Sequence, residues 1–362
     1  MLQLAAAGLV LASLAAYLGG STCGWNGAFC PDACARLERH LAAHLAGQEL
    51  AAQELTLAVC DHIAPWRSPA KPLVVSLHGP VGVGKTLFHR LLAEALYNRT
   101  QADGVLCERE SAACPGYRVV FGTNYAATEQ EAQVAALQRS LVGHLARFPE
   151  AVLVIEEFDK ADCASRGLLR QLLDKGTVDA AAGPISFARS VIVLESNEGK
   201  DHLFRLLAEA PSRAELPLET AQRVLKDVLY ARWAKDGCEE EWDTQKTLSL
   251  IDVMVPFLPL ERAHVRTVVA AHLRERASLG VAAGEFLSLR WDSAVLDFLT
   301  DRVELEGSQE GRLHAVEGAR EVSGVLTRHT SGLLREAARG QHTPRALLLQ
   351  EAGGKIALMQ EG

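Results

Sequence analysis

The residues best equipped for chemistry are Gly79, Pro80, Val81, Gly82, Val83, Gly84, Lys85 and Thr86, which together spell G-x-x-x-x-G-K-[ST]. In that spacing the glycines let successive backbone N–H groups turn inward around phosphate oxygens. Lys85 supplies a point charge to the terminal phosphates, and Thr86 offers a hydroxyl to Mg²⁺. Leu87, opening the helix that follows, completes the cofactor-holding segment. A glycine-rich turn before a buried helix would use the same glycines but leave Lys85 without a reason.

A second group lies seventy residues on, in Val152-Leu153-Val154-Ile155-Glu156-Glu157-Phe158-Asp159-Lys160. An apolar strand ending in two acids suits a phosphate-loop enzyme: one carboxylate holds Mg²⁺ and the next polarises the attacking water. Glu156 takes the metal position, where Asp is usual, and its extra methylene shifts the geometry. Glu157 takes the general-base position. The next apolar strand ends in Leu194-Glu195-Ser196-Asn197, which puts Asn197 where it can orient the lytic water or sense the γ-phosphate.

These residues need a scaffold that brings strand ends together. Leu73 to Leu77 predicts a strand before the loop, and Leu87, Leu91, Leu92, Ala95 and Leu96 a helix after it. Further strands are predicted at 118–121, 151–155 and 190–194, with helices over 31–63 and 130–148. Near-continuously apolar strands alternating with helices predict an α/β fold, a parallel sheet covered on both faces. Beyond residue 245 the strands stop, and helical patterns at 263–277, 292–303 and 316–339 predict a small helical lid. The expected organisation is a leader at 1–21, a large nucleotide-binding domain at 22–245, a lid at 246–345 and a tail at 346–362.

The composition, 48% hydrophobic and 23% charged, is that of a chain able to bury a real core. A net charge of −8 without a basic block argues against nucleic acid as a partner. Residues 2–18 carry no charge and precede Gly19-Gly20-Ser21-Thr22, which reads as a secretory signal or a short membrane anchor. A sequon at Asn98-Arg99-Thr100 agrees with that route, and eight cysteines permit bridges in an oxidising lumen. Cys30 and Cys34 have no partnering pair at zinc spacing, so no zinc site is expected there.

Taken together, the motifs resemble those of AAA+ ATPases of the Clp/Hsp100 branch, and within it the torsins. The resemblance rests on Ala46-Gly47-Gln48, the run from Lys71 into Gly79, Glu157-Phe158-Asp159-Lys160 and Leu194 to Gly199. Most specific is Leu250-Ile251-Asp252 with Val255-Pro256-Phe257-Leu258-Pro259-Leu260-Glu261. It implies a P-loop AAA+ large domain with a C-terminal helical lid, and ATP with Mg²⁺ as cofactors. It also implies a homo-oligomeric ring or filament, protein clients, peripheral membrane association, and residence in the endoplasmic reticulum lumen or nuclear envelope. A membrane-anchored luminal activator is implied as the source of an arginine finger. An alternative is an ATP-gated binding protein with little intrinsic hydrolysis, and a third reading is a threading unfoldase that uses Tyr125 as a pore residue.

The chain departs from the family in three places. Thr86 stands where torsins usually carry Asn, and Glu156 where they carry Asp. Gly318-Ala319-Arg320 corresponds to a Gly-Cys-Lys sensor element, so Arg320 is expected to reach the γ-phosphate while the cysteine's redox role has no counterpart. Arg205 and Arg213 fall in the region where Clp-type proteins place a finger.

Overall fold

The computed structural model describes residues 27–97, 107, 114–122, 130–180, 183–238, 240–307, 313–339 and 345–361. The leader, the sequon and Tyr125 lie outside the described residues.

Five strands form one parallel sheet: β1 (Leu73–His78), β2 (Tyr117–Phe121), β3 (Val152–Glu156), β6 (Val191–Ser196) and β7 (Val253–Pro256), in the order β2-β3-β6-β1-β7. The intervening β4 (Thr177–Ala180) and β5 (Gly183–Ser186) make a separate antiparallel hairpin. Because side chains alternate across a strand, each central strand splits between two cores. Val75, Leu77, Val152, Val154, Val191 and Val193 enter the core shared with α1 (Ala33–His44), α2 (Glu49–Ile63) and α3 (Lys85–Tyr97). Val74, Leu153, Ile155, Ile192 and Leu194 enter the opposite core. That face is covered by α4 (Gln130–Arg147), α5 (Cys163–Lys175), α6 (Lys200–Glu209) and α7 (Leu218–Asp236). Burial on both faces is why these strands read as unbroken apolar runs.

Three features differ from the sequence expectation. The helix expected over 31–63 breaks between His44 and Glu49 around Gly47, whose φ is +69°. Strands also continue past residue 245, since β7 is the edge strand of the main sheet, paired with β1. Four residues ending in proline are too short to show strand periodicity. The tail expected at 346–362 is instead a hairpin, β11 (Ala346–Ala352) with β12 (Lys355–Glu361), turned through Gly353-Gly354. Paired glycines supply the positive φ that a two-residue hairpin turn requires. Strand β11 runs parallel to β8 (Ser288–Trp291) and buries Leu347 and Leu349.

Helix α8 (Glu241–Ser249) packs on the core shared with α7 and leads into β7; after β7 come α9 (Arg262–Ala282) and α10 (Ser293–Thr300). The small ladder of β9 (Leu305–Gly307) and β10 (Leu313–Ala315) follows, then α11 (Arg320–Leu326) and α12 (Gly332–Arg339) joined by a π-helical turn. Disulfides tie Cys34 to Cys60, Cys107 to Cys114 and Cys163 to Cys238, and no described cysteine is free. Among the described residues no helix is long and apolar enough to cross a membrane.

Candidate functional site

Loop residues 79–84 leave the carboxyl end of β1 and enter α3 at Lys85. Open α/β sheets bind ligands at this end of their strands. Two of the glycines are demanded by packing. Gly79 has φ +154°, and a Cβ there would lie 2.2 Å from the carbonyl oxygen of Phe257. Gly82 has φ +72°, and its Cβ would lie 2.1 Å from the carbonyl oxygen of Glu317. The loop is therefore clasped between the main sheet and the lid.

Lys85 is buried and donates to the carbonyls of Gly79 and Pro80, each at 2.8 Å, and to Oδ1 of Asn197 at 2.9 Å. The parallel register explains the last contact: His78 pairs with Ser196, so Asn197 emerges one residue beyond, next to the loop. Burial pushes the Lys85 ammonium down to about 8; Glu195 and Asp159 oppose the shift, and the like charge of Arg320 adds to it. Arg320 is exposed at the start of α11, and the preceding residue, Ala319, donates its N–H to the carbonyl of Gly82 at 2.8 Å. The lid segment expected to carry the sensor thus sits on the phosphate loop.

Glu156 and Glu195 are register partners at the ends of β3 and β6. Both follow the parity of the valines facing α1 to α3, so their carboxylates point toward α3. His89 meets them there, three residues after Thr86 and so on the same helix face. Its Nε2 lies 3.4 Å from Glu156 Oε1 and 3.6 Å from Glu195 Oε2 without hydrogen-bond geometry to either. Its Nδ1 pairs with the hydroxyl of Tyr117 at 2.8 Å. Burial resists protonation of His89, but the two carboxylates outweigh it and raise its pKa. Thr86 donates to Glu195 Oε2 at 3.3 Å. Sequence reasoning left out both His89 and the side chain of Glu195; strand parity and helical spacing together would have found them.

Glu157 is half-buried, and its φ of +54° is the only positive value outside glycine among the described residues. Such a conformation costs on the order of 1 kcal/mol and clusters at functional sites. It turns the chain into a 3₁₀ turn (Phe158–Lys160), and the carboxylate lies 3.1 Å from Lys160. Asp159 is buried nearby, and desolvation raises its carboxyl pKa.

Two elements brace the site. Gln48 donates to the carbonyls of Val83 at 3.1 Å and Leu258 at 2.8 Å, and accepts from the N–H of Leu258 at 2.9 Å. Arg213 donates to the carbonyls of Gly47, Pro259 (2.7 Å) and Leu258 (3.3 Å). Its guanidinium is thus engaged within its own chain, whereas Arg205 is exposed on α6. The residues after β7 form the hub of these contacts: Phe257 donates to the carbonyl of His78 at 2.7 Å, and Glu261 leads into α9.

A phosphate loop entering a parallel five-stranded sheet, with acids on the neighbouring strand ends and a lid against the loop, defines an ATPase domain of the AAA+ class. A family model described as AAA domain (Cdc48 subfamily) matches residues 71–232, and the Torsin model matches residues 21–107. Within that class the chain is similar to torsins. It is 29% identical over 256 residues to a torsin-like protein of Caenorhabditis elegans, covering 66% of this chain and 64% of that one. With a torsin-like protein of Drosophila melanogaster the identity is 26% over 245 residues, 66% of each chain. Chaperone protein ClpB 2 of Thermosynechococcus vestitus is 29% identical over 276 residues, 73% of this chain but 28% of that one. The match therefore spans just under two thirds of the torsin-like relatives and less than a third of the ClpB chain.

Proposed function

We propose that this protein binds ATP with Mg²⁺ at the cleft between sheet and lid and hydrolyses it to remodel protein or membrane-protein clients. The observation that carries the reading is Lys85, held at the mouth of the loop by Asn197 and two loop carbonyls. The donor set fits the nucleotide and its ion: the loop amides and Lys85 for phosphates, the Thr86 hydroxyl and Glu156 carboxylate for Mg²⁺. When bound, the ion neutralises charge on the phosphate oxygens. Glu157 orients water and takes its proton, while Asn197 and Arg320 sense the terminal phosphate.

The three disulfides support a secretory location, because such bonds persist in oxidising compartments. Together with the leader-like residues 1–21 they favour the endoplasmic reticulum lumen or nuclear envelope, with peripheral membrane association. A homo-oligomeric ring or filament is the assembly in which such a site would work. The engagement of Arg213 by its own backbone favours a finger supplied by a membrane-anchored luminal activator, and hence an ATP-gated form with slow turnover alone.

The test compares steady-state hydrolysis and ATP binding of Glu157→Gln with the parent, each with and without a candidate luminal activator. Glu157→Gln should retain ATP and lose turnover. Parent-level hydrolysis in that variant would overturn the catalytic assignment. Turnover only with the partner would support the gated form, and unaided turnover the self-sufficient enzyme.

A further inference from the structure

His89, Glu156 and Glu195 bring one imidazole nitrogen and two carboxylates to a single buried point, with ligand atoms all within 4.8 Å of one another. His89 is 1% exposed. With Nδ1 engaged by Tyr117, the other ring nitrogen is directed at the carboxylates, as second-shell partners direct metal-bound histidines. Two carboxylates beside one imidazole nitrogen, two of the three residues buried, form a donor set that favours a divalent cation.

Ligand chemistry selects among cations, and the known ligand–ligand edges are compatible with that choice. For metal–ligand bonds of about 2.0–2.1 Å, a tetrahedral site has ligand–ligand edges of about 3.3–3.4 Å and an octahedral one of about 3.0 Å. Here Nε2 stands 3.4 and 3.6 Å from the two carboxylate oxygens, and Thr86 Oγ1 stands 3.3 Å from Glu195 Oε2. Mg²⁺ takes oxygen ligands in near-ideal octahedra and sheds water reluctantly, whereas imidazole suits zinc and its neighbours.

We propose that His89, Glu156 and Glu195, with the Thr86 hydroxyl as the fourth ligand, form a tetrahedral site for a zinc-class divalent ion. The site accepts its ion without nucleotide and is distinct in chemistry from the magnesium that accompanies ATP, although Glu156 and Thr86 are common to both. It rests on the preceding reading only in taking Glu156 and Thr86 as ion-holding groups. Tyr117 is a positioning residue, acting through the ring of His89.

The test titrates Co²⁺ into the chelator-stripped, nucleotide-free full chain and follows visible d–d absorption. One equivalent should produce the intense bands of a four-coordinate ion, displaced by stoichiometric Zn²⁺ but not by excess Mg²⁺. Since no described cysteine is free, thiolate ligation does not compete. His89→Gln and Glu195→Gln should each weaken Co²⁺ binding by more than about a hundredfold, and Tyr117→Phe by about 10–100-fold. Lys85→Ala should lose ATP yet keep the cobalt spectrum, which separates this site from the nucleotide reading. Glu195→Gln, at a partly exposed position, keeps the test open if His89→Gln does not fold. The proposal is overturned if the folded parent gives no tetrahedral spectrum, if the spectrum persists in both ligand variants, or if it requires ATP.

Discussion

Replacing Gln48 by Leu probes how the phosphate loop is braced. Leucine is close to glutamine in size, so the buried position, 2% exposed, stays filled. What disappears is the amide that serves Leu258 N–H, Leu258 C=O and Val83 C=O. A buried group stripped of its partner costs about 1–3 kcal/mol. The orphaned N–H lies at the upper part of that range, while each carbonyl keeps a second lone pair for other donors. The expected loss is therefore about 2–4 kcal/mol, a large share of a typical stability of about 5–15 kcal/mol. Urea unfolding should show a lower midpoint with an unchanged slope, because the surface exposed on unfolding is the same. ATP affinity should fall too, since Val83 belongs to the loop. Arg262→Ala serves as the control; it breaks exposed ion pairs with Asp301 and Asp297 and should cost less than about 1 kcal/mol. A Gln48→Leu loss no greater than the control's would refute the brace.

The Cys163–Cys238 bridge closes a loop with a sequence separation of 75, so the double serine variant should lose about 4 kcal/mol on a chain-entropy estimate, read by denaturant midpoint. Burial depresses the folded pKa of His78 to about 4 against an ordinary 6.5. Between those values the unfolded chain binds the extra proton, so stability is full above pH 6.5 and is lost as pH falls toward 4. At pH 4.5 roughly 2.5 kcal/mol of that stability has been lost. The stability difference between pH 7 and pH 4.5 should shrink by about that amount in His78→Gln; an unchanged difference would remove His78 as the cause. Deleting residues 346–362 strips Leu347, Leu349 and Ile356 from the lid core. At about 2 kcal/mol for each buried side chain, limited proteolysis should cut the truncated lid far faster than the full-length one.

The sheet and its phosphate loop were legible because both rest on local pattern: apolar strands of five or six residues and glycines at fixed spacing. Lys85 came with the loop motif, and Glu156 and Asn197 were singled out by standing at the ends of predicted apolar strands. Strand β7 was not legible as a strand, since its four residues acquire meaning only by pairing with β1, some 180 positions earlier in the chain. The final hairpin carried a local signal, two glycines between alternating apolar residues, which a reading fixed on helices passed over. His89 needed two periodicities at once, that of α3 and that of β3 and β6. Arg213 shows the reverse: its position suggested a free finger, and only folding reveals its guanidinium tied to three carbonyls.

The Cys163–Cys238 link also has a topological consequence. It makes a covalent ring that contains α5, the β4–β5 hairpin, β6 with Asn197, and α6 and α7. A backbone cut anywhere inside that ring leaves one molecule rather than two fragments, still threaded through the sheet. The hairpin lies outside the main sheet, packed against α4 and α5, and Gly183 and Ile185 are only partly covered. A nick there opens the chain without releasing the strand that brings Asn197 to Lys85, so the ring keeps that contact from depending on the continuity of the backbone.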